Sequence, residues 1–437
     1  MLNFSKIQNT RIYKNFISQV SLNASLTFIQ IFFPPLMIMI YGLENFGIWI
    51  FLTAIPSALT IMNFNINFAA KTEMSIHHNK KNIRKVNKIF NNSIILTFIF
   101  VTFLALITAI IINFYDFDLN ILKNFYPKEL NIILFCICLS FYLNLINDIF
   151  KTGITFWGRL DVDTYLETFF DFFTKLLIIV SGLVFNDLFY AAIALLTASV
   201  LKVIVFYFFY LNYNKYLTLL SFKLISKKQI TKLFKLSIPY YLESVAGVIK
   251  NSFQIILLGI FFNSQVLGLV STLKTLFYFL PIRCWGIATK TLFYEFTKLY
   301  SEKKFILLKK TYIKFLKFGL IFISVFLLTS ILLGEYVYNL WLNNSYTLSY
   351  FILLLIIFDV SFYILGGSMT IVNKSINRFM KISIFQITIN LIIIIVSYLF
   401  FYYQHSYYLL FLFNLTGSIL IMFYNAYNAT KIIHKKL

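Results

Sequence analysis

Charge is scarce in this chain. Only 12% of its 437 residues are Asp, Glu, Lys or Arg, against about 25% in soluble domains, which excludes an ordinary water-soluble globule. Acidic residues are the scarcer sign, 16 against 38 Lys and Arg, leaving a formal net charge of +22. Cysteine occurs only as Cys136, Cys138 and Cys284, too few for a disulfide framework. Residues two apart point about 200° apart on a helix, so the first two cannot form a clip, and all three read as inert core residues. There is no phosphate-binding loop, nucleophile elbow or zinc motif, so ATP use, enzymatic chemistry, cofactors and a metal site are not expected. His77-His78 stands in a basic segment without Cys or paired carboxylates and reads as solvated loop. Long polar loops are missing too: the longest outer turn, 113–129, carries Asp116, Asp118 and Glu129.

What fills the chain instead is apolar sequence. Hydrophobic residues make up 60% and mean hydropathy is +0.81. Runs of about 20 residues, the length that crosses a bilayer as helix, fall at 16–40, 46–68, 89–113, 130–150, 164–185, 188–211, 237–262, 266–289, 315–334, 347–372, 381–401 and 407–430. The first run is too long and too polar inside to be a cleaved signal, with Gln19, Asn23 and Gln30 in it. Most Lys and Arg lie in segments on one side of these runs, around Arg11, Lys80-Lys81, Lys151, Lys227-Lys228, Lys303-Lys304, Lys374 and Lys435-Lys436. Basic segments are retained in the cytoplasm, so the chain reads as a multi-pass membrane protein with both termini inside. Glu44, Asp116 and Glu335 then face outward, and Lys80, Lys228 and Lys304 inward. The same rule explains the positive charge, and nucleic acid is not an expected partner.

An internal repeat organises the spans. Tyr41-Gly42-Leu43-Glu44-Asn45-Phe46-Gly47-Ile48 reappears in the second half as Phe262-Asn263-Ser264-Gln265-Val266-Leu267-Gly268-Leu269. Each copy is followed by a basic loop, with Lys80-Lys81 matched by Lys303-Lys304. An even number of spans separates the copies, so an axis along the membrane normal relates them. The expected fold is all-α and integral to the membrane: about twelve helices in two six-helix lobes, 1–214 and 215–437, related by a pseudo-two-fold axis about a central cleft.

The stretch from Tyr41 to Trp49, following a helix that contains Pro34-Pro35, resembles the first-turn signature of the Wzx-type polysaccharide and O-antigen flippases. These share a superfamily with the lipid II flippase and the multidrug and toxin extrusion transporters. The resemblance runs along essentially the whole chain. It departs at Asn63 and Asn65, where such proteins often carry an acidic residue and a Gly, which puts an ion-linked role there in doubt. It implies a place in the bacterial cytoplasmic (inner) membrane and export of an undecaprenyl-pyrophosphate-linked oligosaccharide, an O-antigen or capsule repeat unit, to the outer leaflet. Implied partners are that substrate, membrane lipids, and the polysaccharide polymerase and chain-length regulator of the pathway; the chain is expected to act as a monomer. Two alternatives are a multidrug or cation antiporter of the same fold and a membrane polysaccharide polymerase or ligase. The latter usually carry a large outer loop that is missing here.

Charges inside the spans are the candidate site, because a charged side chain at helix centre costs about 2.5–3.5 kcal/mol on insertion scales. They are Asp148, Glu167, Asp171, Lys175, Lys202, Glu243, Lys250, Lys274, Arg283 and Asp359. Glu243, Gly247, Lys250 and Gln254 share one helical stripe, as Gln19, Asn23, Thr27 and Gln30 do in the first span. Lys250, Arg283 and Lys274 suit a pyrophosphate, and Asn251, Gln254, Gln19, Asn23 and Gln30 suit sugars. The bland alternative pairs Glu243 with Lys250. Lys274 and Arg283, nine residues apart, fall on opposite faces of a straight helix unless Pro281 alters the relation. In the first half, Asp148, Glu167 and Asp171 could hold a coupling ion, or pair with Lys151, Lys175 and Lys202.

Overall fold

The computed structural model describes residues 11–59, 61, 64–79, 81–114, 120–122, 126–156, 160–214, 217, 221, 224–343, 349–375, 379–404 and 406–434. Asp116, Asp118, Lys80 and Asn63 lie outside them. All regular structure among the described residues is helical. The elements are α1 (Arg11–Leu59), α2 (Ile66–Asn79), α3 (Ile83–Phe114), α4 (Pro127–Thr155), α5 (Leu160–Phe185), α6 (Leu188–Tyr213) and α7 (Lys227–Val248). There follow a π segment, π1 (Ile249–Phe253), then α8 (Gln254–Phe261), α9 (Ser264–Lys274), π2 (Thr275–Phe279), α10 (Leu280–Ser301), α11 (Phe305–Trp341), α12 (Tyr350–Ser375), α13 (Met380–Gln404) and α14 (Tyr408–His434).

Eleven helical stretches among the described residues are long and apolar enough to cross a bilayer, counting 24–59 as one. α1 is 49 residues long, but Gly42 interrupts it with φ 82° and ψ 161°, a backbone region that is essentially restricted to Gly. The break divides the stretch and brings the crossings to the expected twelve. The second crossing ends at Leu59 rather than Phe68. Asn65 takes a positive φ of 49°, and α2 starts anew as an amphipathic helix. Side chains such as Leu106, Leu183, Leu328 and Leu332 are exposed, as a hydrocarbon solvent permits. Cys136 and Cys138 are buried, whereas Cys284 is exposed, so only the first two are core residues.

The second copy of the repeated turn is made by different chemistry. Asn263, in the place of Gly42, stays extended and caps α9 by accepting from Val266 N at 3.0 Å. The basic loops, by contrast, are alike in detail. Lys81 and Lys303 both adopt a left-handed φ, 56° and 58°. Asn82 N bonds His77 O and Lys304 N bonds Leu299 O, each at 3.0 Å, the six-to-one bond of a Schellman helix end. Lys81 therefore corresponds to Lys303, one position out of step with the pairing of Lys80-Lys81 with Lys303-Lys304.

The chain divides into two compact units, Met1–Ser244 and Val245–Leu437. The division falls inside α7, whose first part packs into the first unit. Leu233 is fully buried in one cluster with Val86, Ile89, Phe90, Phe206 and Tyr210. Phe64 stacks on Tyr241 with centroids 4.3 Å apart, and Asn65 donates to Tyr240 O at 3.3 Å. In this unit Tyr41, beside the Gly42 break, donates to Ile178 O at 3.1 Å, with its ring against Gly182, where a Cβ would lie 2.5 Å from it.

The second unit is built on α12, which packs against α10, α11 and α14. Trp285 of α10 stacks on Phe315 at 5.0 Å and donates to Ser368 Oγ at 2.9 Å. Tyr338 of α11 and Thr272 of α9 share a hydrogen bond of 2.9 Å.

Candidate functional site

In the second unit four stretches of helix each contribute two residues spaced i, i+4, a spacing that brings side chains to one face. Lys250 and Gln254 come from π1 and α8, and Lys274 and Tyr278 from α9 and π2. Asp359 and Tyr363 come from α12, and Asn414 and Ser418 from α14. Lys250 Nζ donates to Asp359 Oδ1 at 3.3 Å and to Ser418 Oγ at 3.0 Å, and Ser418 donates onward to the same Asp359 oxygen. Lys274 Nζ donates to Gln254 Oε1 at 3.0 Å. That oxygen also accepts from Asn414 Nδ2 at 3.1 Å, while Gln254 Nε2 donates back to Asn414 Oδ1. Lys250 lies over the rings of Tyr363, 4.5 Å from the centroid, and Tyr278, 5.3 Å. Lys274 is 6.0 Å from the Tyr278 centroid.

Lys250, Lys274, Gln254, Asp359, Asn414 and Ser418 are all buried. The network contains two ammoniums and one carboxylate. Lys250 has Asp359, so Lys274 is left with the neutral amide of Gln254. An ion taken from water retains a penalty of several kcal/mol even after relaxation; a desolvated cation–π contact returns about 2 kcal/mol. The network is thus short of one negative charge.

Two of the participating helices carry π segments. Pro281 has no N–H to offer the Phe277 carbonyl, and its ring would clash there. π2 ends two residues earlier, with Leu280 N bonded to Thr275 O, an i to i−5 bond that absorbs one extra residue. That extra residue changes the phase between Lys274 and Arg283 from about 180° to about 80°, so the two do not fall on opposite faces. π1 coincides with Lys250 and has no proline beside it.

The remaining expected residues are placed less centrally. Glu243 of α7 and Arg283 of α10 are half-buried, and the carboxylate beside Lys250 is that of Asp359. Asn251 Oδ1 and Gln30 Oε1 are buried atoms without a hydrogen-bond partner among the described residues. The side chains of Gln19 and Asn23 lie outside the described residues. Residue spacing alone does not select Asp359, Asn414 or Ser418, which come from helices far along the chain. The available signal was that Asp359 is the lone acid of its span.

The first unit holds a second ionic cluster. Lys151 of α4 bonds Glu167 of α5 and lies 3.2 Å from Asp148. Lys202 of α6 lies 2.9 Å from Glu167 and 3.9 Å from Asp171. Lys175 turns away to the Phe33 ring, 4.2 Å from its centroid. Glu167 is therefore shared by two lysines, while Asp148 and Asp171 have side chains 39% and 38% exposed and retain free capacity. Nearby on α2, burial pulls the Lys71 ammonium below the ordinary lysine range, with the charge of Asp163 opposing it. His77 is 3.9 Å from Glu73 and the His78 ring meets Phe156 edge-on, so the pair is packed rather than solvated.

Comparison with solved structures places this fold among known transporters. The lipid II flippase MurJ in an inward closed conformation superposes with a TM-score of 0.69 at 14% identity, covering 96% of this chain and 89% of that one. A MOP superfamily transporter from Pyrococcus furiosus Vc1 (DSM3638), described as having a binding pocket of reverse polarity, gives 0.65 at 14% identity over 98% and 96%. The Vibrio cholerae MATE transporter VcmN in its bent form gives 0.58 at 14% identity over 96% and 99%. At such identities the likeness establishes the fold alone. No curated protein matches the sequence. A family model for polysaccharide biosynthesis proteins matches residues 12–300. With a multi-pass helical membrane fold of the MOP transporter type, and that match over most of its length, this chain belongs to the polysaccharide biosynthesis protein family.

Proposed function

We propose that the chain is a flippase that carries an oligosaccharide linked to undecaprenyl pyrophosphate, an O-antigen or capsule repeat unit, from the cytoplasmic to the periplasmic leaflet of the inner membrane. It works by alternating access and catalyses no covalent step. The observation that carries this reading is the charge of the Lys250–Asp359–Lys274 network, which holds two buried ammoniums against one carboxylate. A missing negative charge at membrane depth suits an anionic group passing through. Arg283, half-buried on α10, supplies a third cation, and Glu243, Asn251 and Gln254 with Gln19, Asn23 and Gln30 supply polar contacts for sugars. Outward movement of each negative charge gains about 2.3 kcal/mol per 100 mV of inside-negative potential, so the potential itself drives export.

The first-unit cluster, in which Asp148, Glu167 and Asp171 face two contacting lysines, Lys151 and Lys202, favours a second reading, exchange against a cation held by the three carboxylates. The two separate in proteoliposomes loaded with fluorescent undecaprenyl-pyrophosphate oligosaccharide and probed with an impermeant quencher. Flipping that responds to membrane potential and is lost in Lys250→Gln and Arg283→Gln supports the proposal. Failure of the wild type to flip the anionic lipid while it exports a cationic dye would replace it with the antiporter.

A further inference from the structure

Asn91 and Asn92 of α3 are fully buried, yet both direct side-chain oxygens out of their own helix. Asn91 Oδ1 accepts from Ser221 N. Asn92 Oδ1 accepts from Ser226 N at 2.9 Å, and Asn92 Nδ2 donates to Leu224 O at 3.0 Å. These bonds fasten the lead-in of α7 to α3. Below them Val86, Ile89 and Phe90 of α3 share one apolar cluster with Leu233 of α7, so the first turns of both helices are held in a single surface of the first unit.

The outward side of that surface is cationic. Arg84, Lys85, Lys227, Lys228 and Lys235 are exposed and Lys88 is half-buried. The first turn of neither helix contains a carboxylate. Glu73 of α2 is taken by Lys232 and His77. Among the cations stand exposed apolar side chains, Ile83, Ile225 and Leu236. Bulk water does not favour that combination, whereas the boundary between headgroups and acyl chains does. The positive-inside pattern puts the surface at the cytoplasmic leaflet. Its cations act on anionic lipid within about a Debye length.

We propose that this surface, assembled by Asn91 and Asn92 from α3 and α7, is a docking site for anionic phospholipid headgroups of the cytoplasmic leaflet. The cations meet the phosphates and the isoleucines enter the top of the acyl layer. The site is separate from the Lys250 network and does not depend on what the protein transports.

The test uses the full chain in nanodiscs of equal phosphatidylcholine and phosphatidylglycerol, with retained lipid identified by native mass spectrometry. The wild type is expected to retain phosphatidylglycerol selectively. Neutralising Arg84→Gln, Lys85→Gln, Lys227→Gln and Lys228→Gln should reduce that selectivity by about fivefold for each charge removed. A matched set on the other unit, Lys303→Gln just ahead of α11 and Lys310→Gln, Lys314→Gln and Lys317→Gln within it, all exposed, should leave it largely unchanged. Equal loss from both sets would mean that positive charge anywhere attracts these lipids, and would overturn the proposal. So would a wild type without selectivity, or a first set that keeps it.

Discussion

Replacing Asp359 with Asn removes one charge and almost no volume, which makes it the sharpest perturbation of the second unit. In the wild type Lys250 Nζ lies 3.3 Å from the carboxylate, with both side chains 8% exposed. Asn keeps an oxygen for Ser418 but leaves Lys250 and Lys274 as two buried cations with no anion among their described contacts. Breaking a buried pair by removing one partner costs about 3–5 kcal/mol. The Tyr363 and Tyr278 rings and Ser418 still hold Lys250 and recover about 1–2 kcal/mol of this. The net expectation is a loss of about 1–4 kcal/mol for Asp359→Asn. Lys250→Met strands the carboxylate instead and should cost a similar amount. The double variant, in which neither charge remains, should return to within about 1 kcal/mol of wild type. Lys274→Met should cost much less than Lys250→Met, because only a neutral amide loses its partner. Equilibrium unfolding of the purified protein in mixed micelles, followed by tyrosine and tryptophan fluorescence, measures all four variants. If Asp359→Asn costs under about 0.5 kcal/mol and the double-variant coupling is near zero, the pair is hydrated and the charge argument fails.

Other consequences are open to direct test. Gly182→Val places methyl groups where the Tyr41 ring sits and should destabilise by about 1–3 kcal/mol, read as a lower melting temperature; an unchanged value would mean that Tyr41 does not occupy that notch. Gly42→Ala should cost about 1–3 kcal/mol through backbone strain alone, with nothing within 4 Å of the new methyl. Cysteines introduced at Glu44 and Glu335 into a cysteine-free background should react with an impermeant maleimide on intact cells, and those at Lys228 and Lys304 should not. Asp148→Asn and Asp171→Asn should leave flipping within about twofold of wild type if the potential drives export; loss of transport in both at normal expression would make the first unit a coupling site.

The crossings were legible because hydropathy reports where a chain can sit in lipid, and Gly42 announced the first turn. Helix ends were less legible, since a helix continues past the membrane wherever its residues allow. α11 begins at Phe305, ten residues ahead of the apolar run at 315, so Lys309, Lys310 and Lys314 are helical. The stripe of Lys250 and Gln254 was readable from i, i+4 spacing. Their partners were not, because Asp359 lies 109 positions away and Asn414 160, and no local pattern couples residues so distant. The π segments were also invisible: Pro281 signalled a distortion but not its kind, and π1 has no marker in composition.

A π segment is one residue inserted into an α-helix. Chains that lack the insertion differ from this one by a single-residue gap inside a membrane helix, although gaps are ordinarily assigned to loops. An alignment that places the gap beyond Ser301 instead would misassign Lys274 or Arg283 by one position, rotating the inferred side chain by about 100°. Roles transferred from a relative to these two cations therefore hold only when the register is set separately on each side of Thr275–Phe279.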